Sequence, residues 1–125
     1  MSTAKPQRRL FGRSQRIKHS RDFSRVRQGG RRLVQGCLIA NWQVLPAGTV
    51  SRLGVVTSGK LGNAVVRSRA RRLLRETFRL HQQELAQPVD LVLVARASIV
   101  GRKLAEVEKD FLSTVRKAGL LHQQA

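Results

Sequence analysis

Residues 62–84 read GNAVVRSRARRLLRETFRLHQQE. Asn63 is a residue type that caps helices, because its side-chain oxygen can accept from a first-turn amide that has no partner inside the helix. Beyond Gly62 the run contains neither glycine nor proline, so the spacing predicts one long helix. Successive helical residues are turned by about 100°. Counted from Arg67, that rotation gathers Arg67, Arg69, Arg71, Arg72, Arg75 and Arg79 within an arc of about 200°. Val66, Ala70, Leu73, Leu74, Thr77 and Leu80 fill the opposite side. One face belongs to a core and the other to arginine. A solvated helix face usually intersperses glutamate with its cations to gain pairs one turn apart, but here Glu76 stands alone among the arginines. Guanidinium groups grip phosphate with two parallel hydrogen bonds and stack on bases, so this face is expected to dock on a polyanion.

Strand patterns flank the helix. Arg52–Ser58 (RLGVVTS) precedes it and Val89–Ala97 (VDLVLVARA) follows, a nearly continuous apolar run that predicts burial on both faces of a sheet. The order is therefore strand, helix, strand. Upstream, Gly36–Leu45 (GCLIANWQVL) is uncharged and rich in strand-forming residues, and Pro46-Ala47-Gly48 is a turn, so 36–45 and 52–58 are expected to pair as antiparallel neighbours. A short helix is expected from His19 or Ser20 to Gln28, with Ser20 as cap, Phe23 and Val26 on one face, Arg21 and Arg25 on another, and Gly29-Gly30 as its end. Lys103–Ala118 supplies a last helix with Leu104, Val107, Phe111, Leu112 and Val115 on one side, closed by Gly119. Phe11 and Phe111 go to core or tail, as does Phe78, which sits at the arginine boundary. Residues 1–15, with Lys5, Arg8, Arg9 and Arg13, are expected to be a flexible basic arm, 16–120 a single α+β domain, and 121–125 a tail.

The 25 basic and 7 acidic residues give a formal charge of +18, unevenly placed. Residues 1–35 hold 11 bases and one acid, 36–51 hold no charge, 52–79 hold 8 bases and one acid, and 80–125 hold 6 bases and 5 acids. Segregation of one sign points to nucleic acid. No stretch approaches the roughly 20 apolar residues of a spanning helix, and none has the make-up of a signal peptide, so a soluble cytoplasmic protein is expected. Cys37 is the single cysteine, read as buried filler, and His19, His81 and His122 stand far apart, without metal-site spacing. With no nucleophile elbow, full phosphate loop or paired carboxylates, any chemistry is expected to belong to the partner.

Residues alone do not separate RNA from DNA. The run from Gly62 to Glu76 resembles the signature of the bacterial ribonuclease P protein subunit, in which a strand ending in S-K-K leads into G-N-A-V-x-R-N-R-x-K-R-x-x-R-E. The likeness extends to Asp22-Phe23 with Val26 and Gly30, to Arg52-Leu53-Gly54-Val55-Val56, and to Asp90-Leu91-Val92-Leu93-Val94-Ala95-Arg96, covering roughly residues 15–120. It implies an α+β fold with about four strands in a mostly antiparallel sheet, like the second domain of a small-subunit ribosomal protein. The arginine helix would lie in a left-handed crossover between the strands at 52–58 and 89–96. It also implies that Lys60, Asn63, Arg67, Ser68, Arg69, Arg71, Arg72 and Arg75 contact a catalytic RNA. The single-stranded 5′ leader of precursor tRNA would enter a cleft between the first helix and the sheet, with Phe23, Arg27, Asn41 and Trp42 as its contacts. Spacing leaves Phe23 and Trp42 open between cleft and core. Mg²⁺ is expected, held mainly by the RNA, and no small-molecule substrate or membrane partner is.

Departures from the pattern are local. Ser68 stands where asparagine is usual, Arg71 where lysine is common, and Gly59 where the first lysine of a pair is expected, leaving Lys60 alone. Family members tend to carry aromatics at the positions of Arg27 and near Asn41, and this chain has neither, although Trp42 is adjacent. Gly59-Lys60-Leu61-Gly62 also fits the G-x-x-G loop of KH domains, but that loop joins two helices, whereas this one leaves a strand. A ribosomal or nucleoid-type protein suits the composition equally and is resisted only by the motif.

Overall fold

The computed structural model describes residues 15–122. The expected arm up to residue 14, Phe11 and the last three residues of the tail lie outside them. In chain order the elements are α1 (Ser20–Gly29), β1 (Arg31–Gln35), β2 (Leu38–Val44), β3 (Arg52–Val56), α2 (Ala64–His81), β4 (Val89–Ala95) and α3 (Leu104–Lys117). The four strands form one sheet in the order β1-β2-β4-β3, antiparallel except for the parallel pair β3 and β4. The fold is α+β, and α2 joins the two parallel strands.

One expected pairing is corrected. β2 and β3 are not neighbours, because β4 lies between them: Leu91 pairs with Trp42 on one side and Leu53 on the other. The cause is burial. Six of the seven residues of β4 are buried, Asp90 included, and only a central strand covered on both faces can bury them. The hairpin partner of β2 is instead β1, which the charged segment RRLVQ conceals. Gly36 turns this hairpin with φ +55°, and the Asp110 carboxylate from α3 accepts from the Cys37 amide at 2.9 Å, leaving no room for a Cβ at Gly36. Cys37 is buried, and burial, reinforced by Asp110, pushes its thiol up to about 12.

Side chains alternate across the sheet. Leu38, Ala40 and Trp42 of β2, Leu53 of β3 and Leu91 and Leu93 of β4 share one core with Ala70, Leu74 and Phe78 of α2 and Val107, Phe111 and Val115 of α3. Phe78, ambiguous on the helical wheel, is fully buried there. A smaller cluster, Ile17, Val26 and Val92 with Phe23, Val56 and Val94 against it, packs α1 on the opposite face. Asn63 caps α2, its Oδ1 accepting from the Val66 amide at 3.0 Å, and Gln82–Glu84 continue the helix as a tighter turn. At α1 the cap position is His19 rather than Ser20, and its side chain makes no capping bond.

Candidate nucleic-acid interface

The outer side of α2 carries the arginines in two settings. Ser68, Arg69 and Arg72 are exposed, as are Lys60 and Asn63 just before the helix. Arg67 and Arg71, where the helix meets the loop from β3, and Arg75 further along are half-buried, so the arginine face is not uniformly exposed. Arg67 donates to the Gly62 carbonyl at 2.7 Å, and Arg71 donates to Thr57 Oγ1 at 2.8 Å and Ser68 Oγ at 3.2 Å. Their long stems pack at the boundary while their heads staple the loop. Arg69 reaches the Arg102 carbonyl at 2.8 Å. Arg75 is drawn below the ordinary arginine value, first by burial and then by the neighbouring cations Arg16 and Arg71. Glu76 is taken by Arg79, which binds both its carboxylate oxygens at 2.8 and 2.6 Å and holds it below the usual carboxylate range.

Arg69, Arg72, Arg75 and Arg79, with Arg16, bound a groove of about 600 Å³. Arg16 escaped the sequence reading because nothing local marks it. It arrives because Ile17 bonds the Leu53 carbonyl at 2.9 Å, laying residues 16–17 along the edge of β3.

A second groove, about 460 Å³, opens between α1 and the sheet, lined by Ser20, Phe23, Ser24, Arg27, Gln28 and Val56. Of the four side chains expected there, the structure brings Phe23 and Arg27 together. Asn41 is buried on the same face of the sheet, next to Val92 in the strand register. Trp42 is corrected to the core: it is 5% exposed and points to the α2 and α3 side. The reason is the two-residue period of a strand, which forbids neighbours such as Asn41 and Trp42 from facing one groove. That signal was present in the sequence. Ser20, Ser24, Gln28 and Val56 were not expected to line it.

A four-residue ionic network joins α1 to the sheet. Asp90 Oδ1 and Oδ2 accept from Arg52 Nε and Nη2 at 2.9 and 2.7 Å, and Oδ2 also accepts from Arg25 Nη2 at 2.6 Å. Arg25 Nη1 donates to Asp22 Oδ1 at 2.8 Å. Bonding to Asp90 raises the Arg52 guanidinium above its ordinary value. At the far end of α2, His81 joins Glu84 through Nδ1 and Glu108 through Nε2, the latter at 2.7 Å.

All seven carboxylates have internal partners: Asp22 and Asp90 in the network, Glu76 at Arg79, Glu84 and Glu108 at His81, Glu106 at the Lys103 amide and Asp110 at the Cys37 amide. Among the described residues no three His, Cys, Asp or Glu side chains converge. This donor set does not fit a Mg²⁺ site.

A family model described as Ribonuclease P matches residues 11–119. The chain is 35% identical over 116 residues to a ribonuclease P protein component of Syntrophomonas wolfei, spanning 93% of this chain and 97% of that protein. It is 37% identical over 112 residues to the corresponding component of Gluconacetobacter diazotrophicus, spanning 89% and 97%. The solved structure of the Staphylococcus aureus RNase P protein superposes with a TM-score of 0.77 at 25% identity, covering 86% of this chain and 98% of that one.

Proposed function

The chain belongs to the ribonuclease P protein family, and on that premise we propose that it docks on a catalytic RNA through the arginine face of α2 and receives the 5′ leader of precursor tRNA in the groove beneath α1. Its role is that of a ribonuclease P protein component, within an endoribonuclease complex that processes tRNA. The observation that carries the docking is the balance of charge on α2: six arginines, and a single acid already engaged by Arg79. A polyanion relieves that repulsion and releases its counterions on binding.

The leader groove has different chemistry. Phe23 offers a ring on which an unpaired base can stack, worth about 1–3 kcal/mol without reading sequence, and Arg27 one helical turn on offers a cation for a phosphate. Sequence tolerance suits a processor of many tRNAs. The RNA holds the Mg²⁺ and performs the hydrolysis, while the protein lowers repulsion between two RNAs by electrostatics and binding. The site of action is the cytoplasm, and no helix among the described residues is long and apolar enough to cross a membrane.

Copurification with the tagged protein tests this reading. Sequencing of the bound RNA is expected to return one abundant structured RNA of ribonuclease P type, whereas a spread of messenger or ribosomal fragments contradicts it.

A further inference from the structure

We propose that Asp22, Arg25, Arg52, Gly54 and Asp90 are positioning residues that hold Phe23 against the sheet as the stacking surface of the leader groove, an inference that rests on the groove reading above. The network has no net charge, two arginines against two aspartates. It adds nothing to the attraction of a polyanion that the same region without it would lack, so its contribution is geometric.

The geometry is specific. Arg25 spends each guanidinium nitrogen on a different element: Nη1 on Asp22 of its own helix at 2.8 Å, Nη2 on Asp90 of β4 at 2.6 Å and Nε on Gln43 of β2 at 3.1 Å. Asp90 is fully buried and is gripped by Arg52 from the adjacent strand, its register partner. A planar fork held at this many points fixes the orientation of α1 over the sheet. Phe23 lies between Asp22 and Arg25 in that same turn, so the clamp sets the height of its ring.

Gly54 is two residues beyond Arg52 on the same face of β3, and Phe23 rests on it. A Cβ at Gly54 would stand 2.4 Å from Phe23 Cε1 and 2.6 Å from Cζ, so any side chain there lifts the ring away from the floor and into the groove. Clamp and floor thus act on one ring.

The sign of one substitution separates positioning from charge. Asp22→Asn keeps size and an acceptor oxygen but removes a negative charge beside the groove, which by electrostatics alone tightens binding of the leader. The positioning role gives the opposite result for the leader. The quantity to measure is the leader increment: the ratio of affinities for a precursor tRNA with its unpaired leader and the same tRNA without it, bound by the full chain assembled with a ribonuclease P RNA. Asp22→Asn and Gly54→Ala are each expected to lower the increment by about tenfold, ~1.4 kcal/mol, with unchanged affinity for the RNA subunit. On the Gly54→Ala background, Phe23→Ala is expected to remove little more, since the ring is already displaced. Should Gly54→Ala not fold, Asp22→Asn decides alone. An increment unchanged or raised in folded Asp22→Asn, or additive losses from Gly54→Ala and Phe23→Ala, overturns the positioning role while leaving the groove standing. If the unaltered protein shows no leader increment, or Phe23→Ala leaves it intact, the groove reading itself is overturned.

Discussion

Arg71 Nη1 donates to Thr57 Oγ1 at 2.8 Å, tying the arginine face of α2 to the residue that follows β3. The same guanidinium therefore serves the fold and the docking surface, whereas Arg72, one residue on, is exposed. Arg71→Ala is expected to cost about 1 kcal/mol of stability from the lost hydrogen bonds, together with RNA affinity. Arg72→Ala should leave stability within about 0.5 kcal/mol and cost affinity only. Each should lower the slope of log affinity against log salt by about 0.7 to 0.9 if its phosphate contact is lost. Urea unfolding and salt-titrated binding to the RNA subunit check both, and an unchanged slope for Arg72→Ala removes that residue from the interface.

Phe23 and Trp42 should respond differently to truncation. Trp42→Ala opens a cavity in the main core and is expected to cost about 3–5 kcal/mol of stability. Phe23→Ala should instead weaken leader-bearing precursor by about 1–3 kcal/mol relative to mature tRNA. Equal losses for both ligands in Phe23→Ala would make its ring a core residue.

Stability should also respond to pH through His81. Burial pushes its imidazole toward the neutral form, but the hydrogen bonds it donates to Glu84 and Glu108 outweigh this and raise it above its ordinary value. A raised folded-state value means the stabilisation is fully present below the unfolded imidazole value of about 6.5 and is lost as pH rises through the folded one. Glu84 is half-exposed, so the effect is at most about 1 kcal/mol. Unfolding free energies measured from pH 5.5 to 8.5 should fall with pH in the unaltered protein and more weakly in His81→Gln. Identical profiles would contradict the assignment.

Local features of the fold were legible, and long-range ones were not. The cap at Asn63, the two faces of α2 and the double burial of β4 follow from periods and side-chain types within one element. Strand order does not, because the apolar run of β4 says that it is central without saying which strands flank it. β1 is a charged edge strand whose turn is secured by Asp110, distant in the chain. The ionic network at Asp90 joins residues as far apart as 22 and 90, and only the register that sets Arg52 against Asp90 makes it visible. Trp42 shows the reverse case, since strand parity alone already separates it from Asn41.

Docking of the arginine face is checked by cleavage of precursor tRNA across Mg²⁺ concentrations, comparing a ribonuclease P RNA alone, the RNA with the unaltered protein, and the RNA with Arg69→Ala/Arg72→Ala. At high Mg²⁺ the RNA alone should cut. At low Mg²⁺ cleavage should require the protein, and the double variant should restore much less of it, with the deficit shrinking as Mg²⁺ rises and screens the phosphates. Cleavage by the protein without RNA, an RNA inactive at every Mg²⁺ concentration, or full rescue by the double variant at low Mg²⁺ would contradict an account in which this chain works by docking its arginine face on a catalytic RNA.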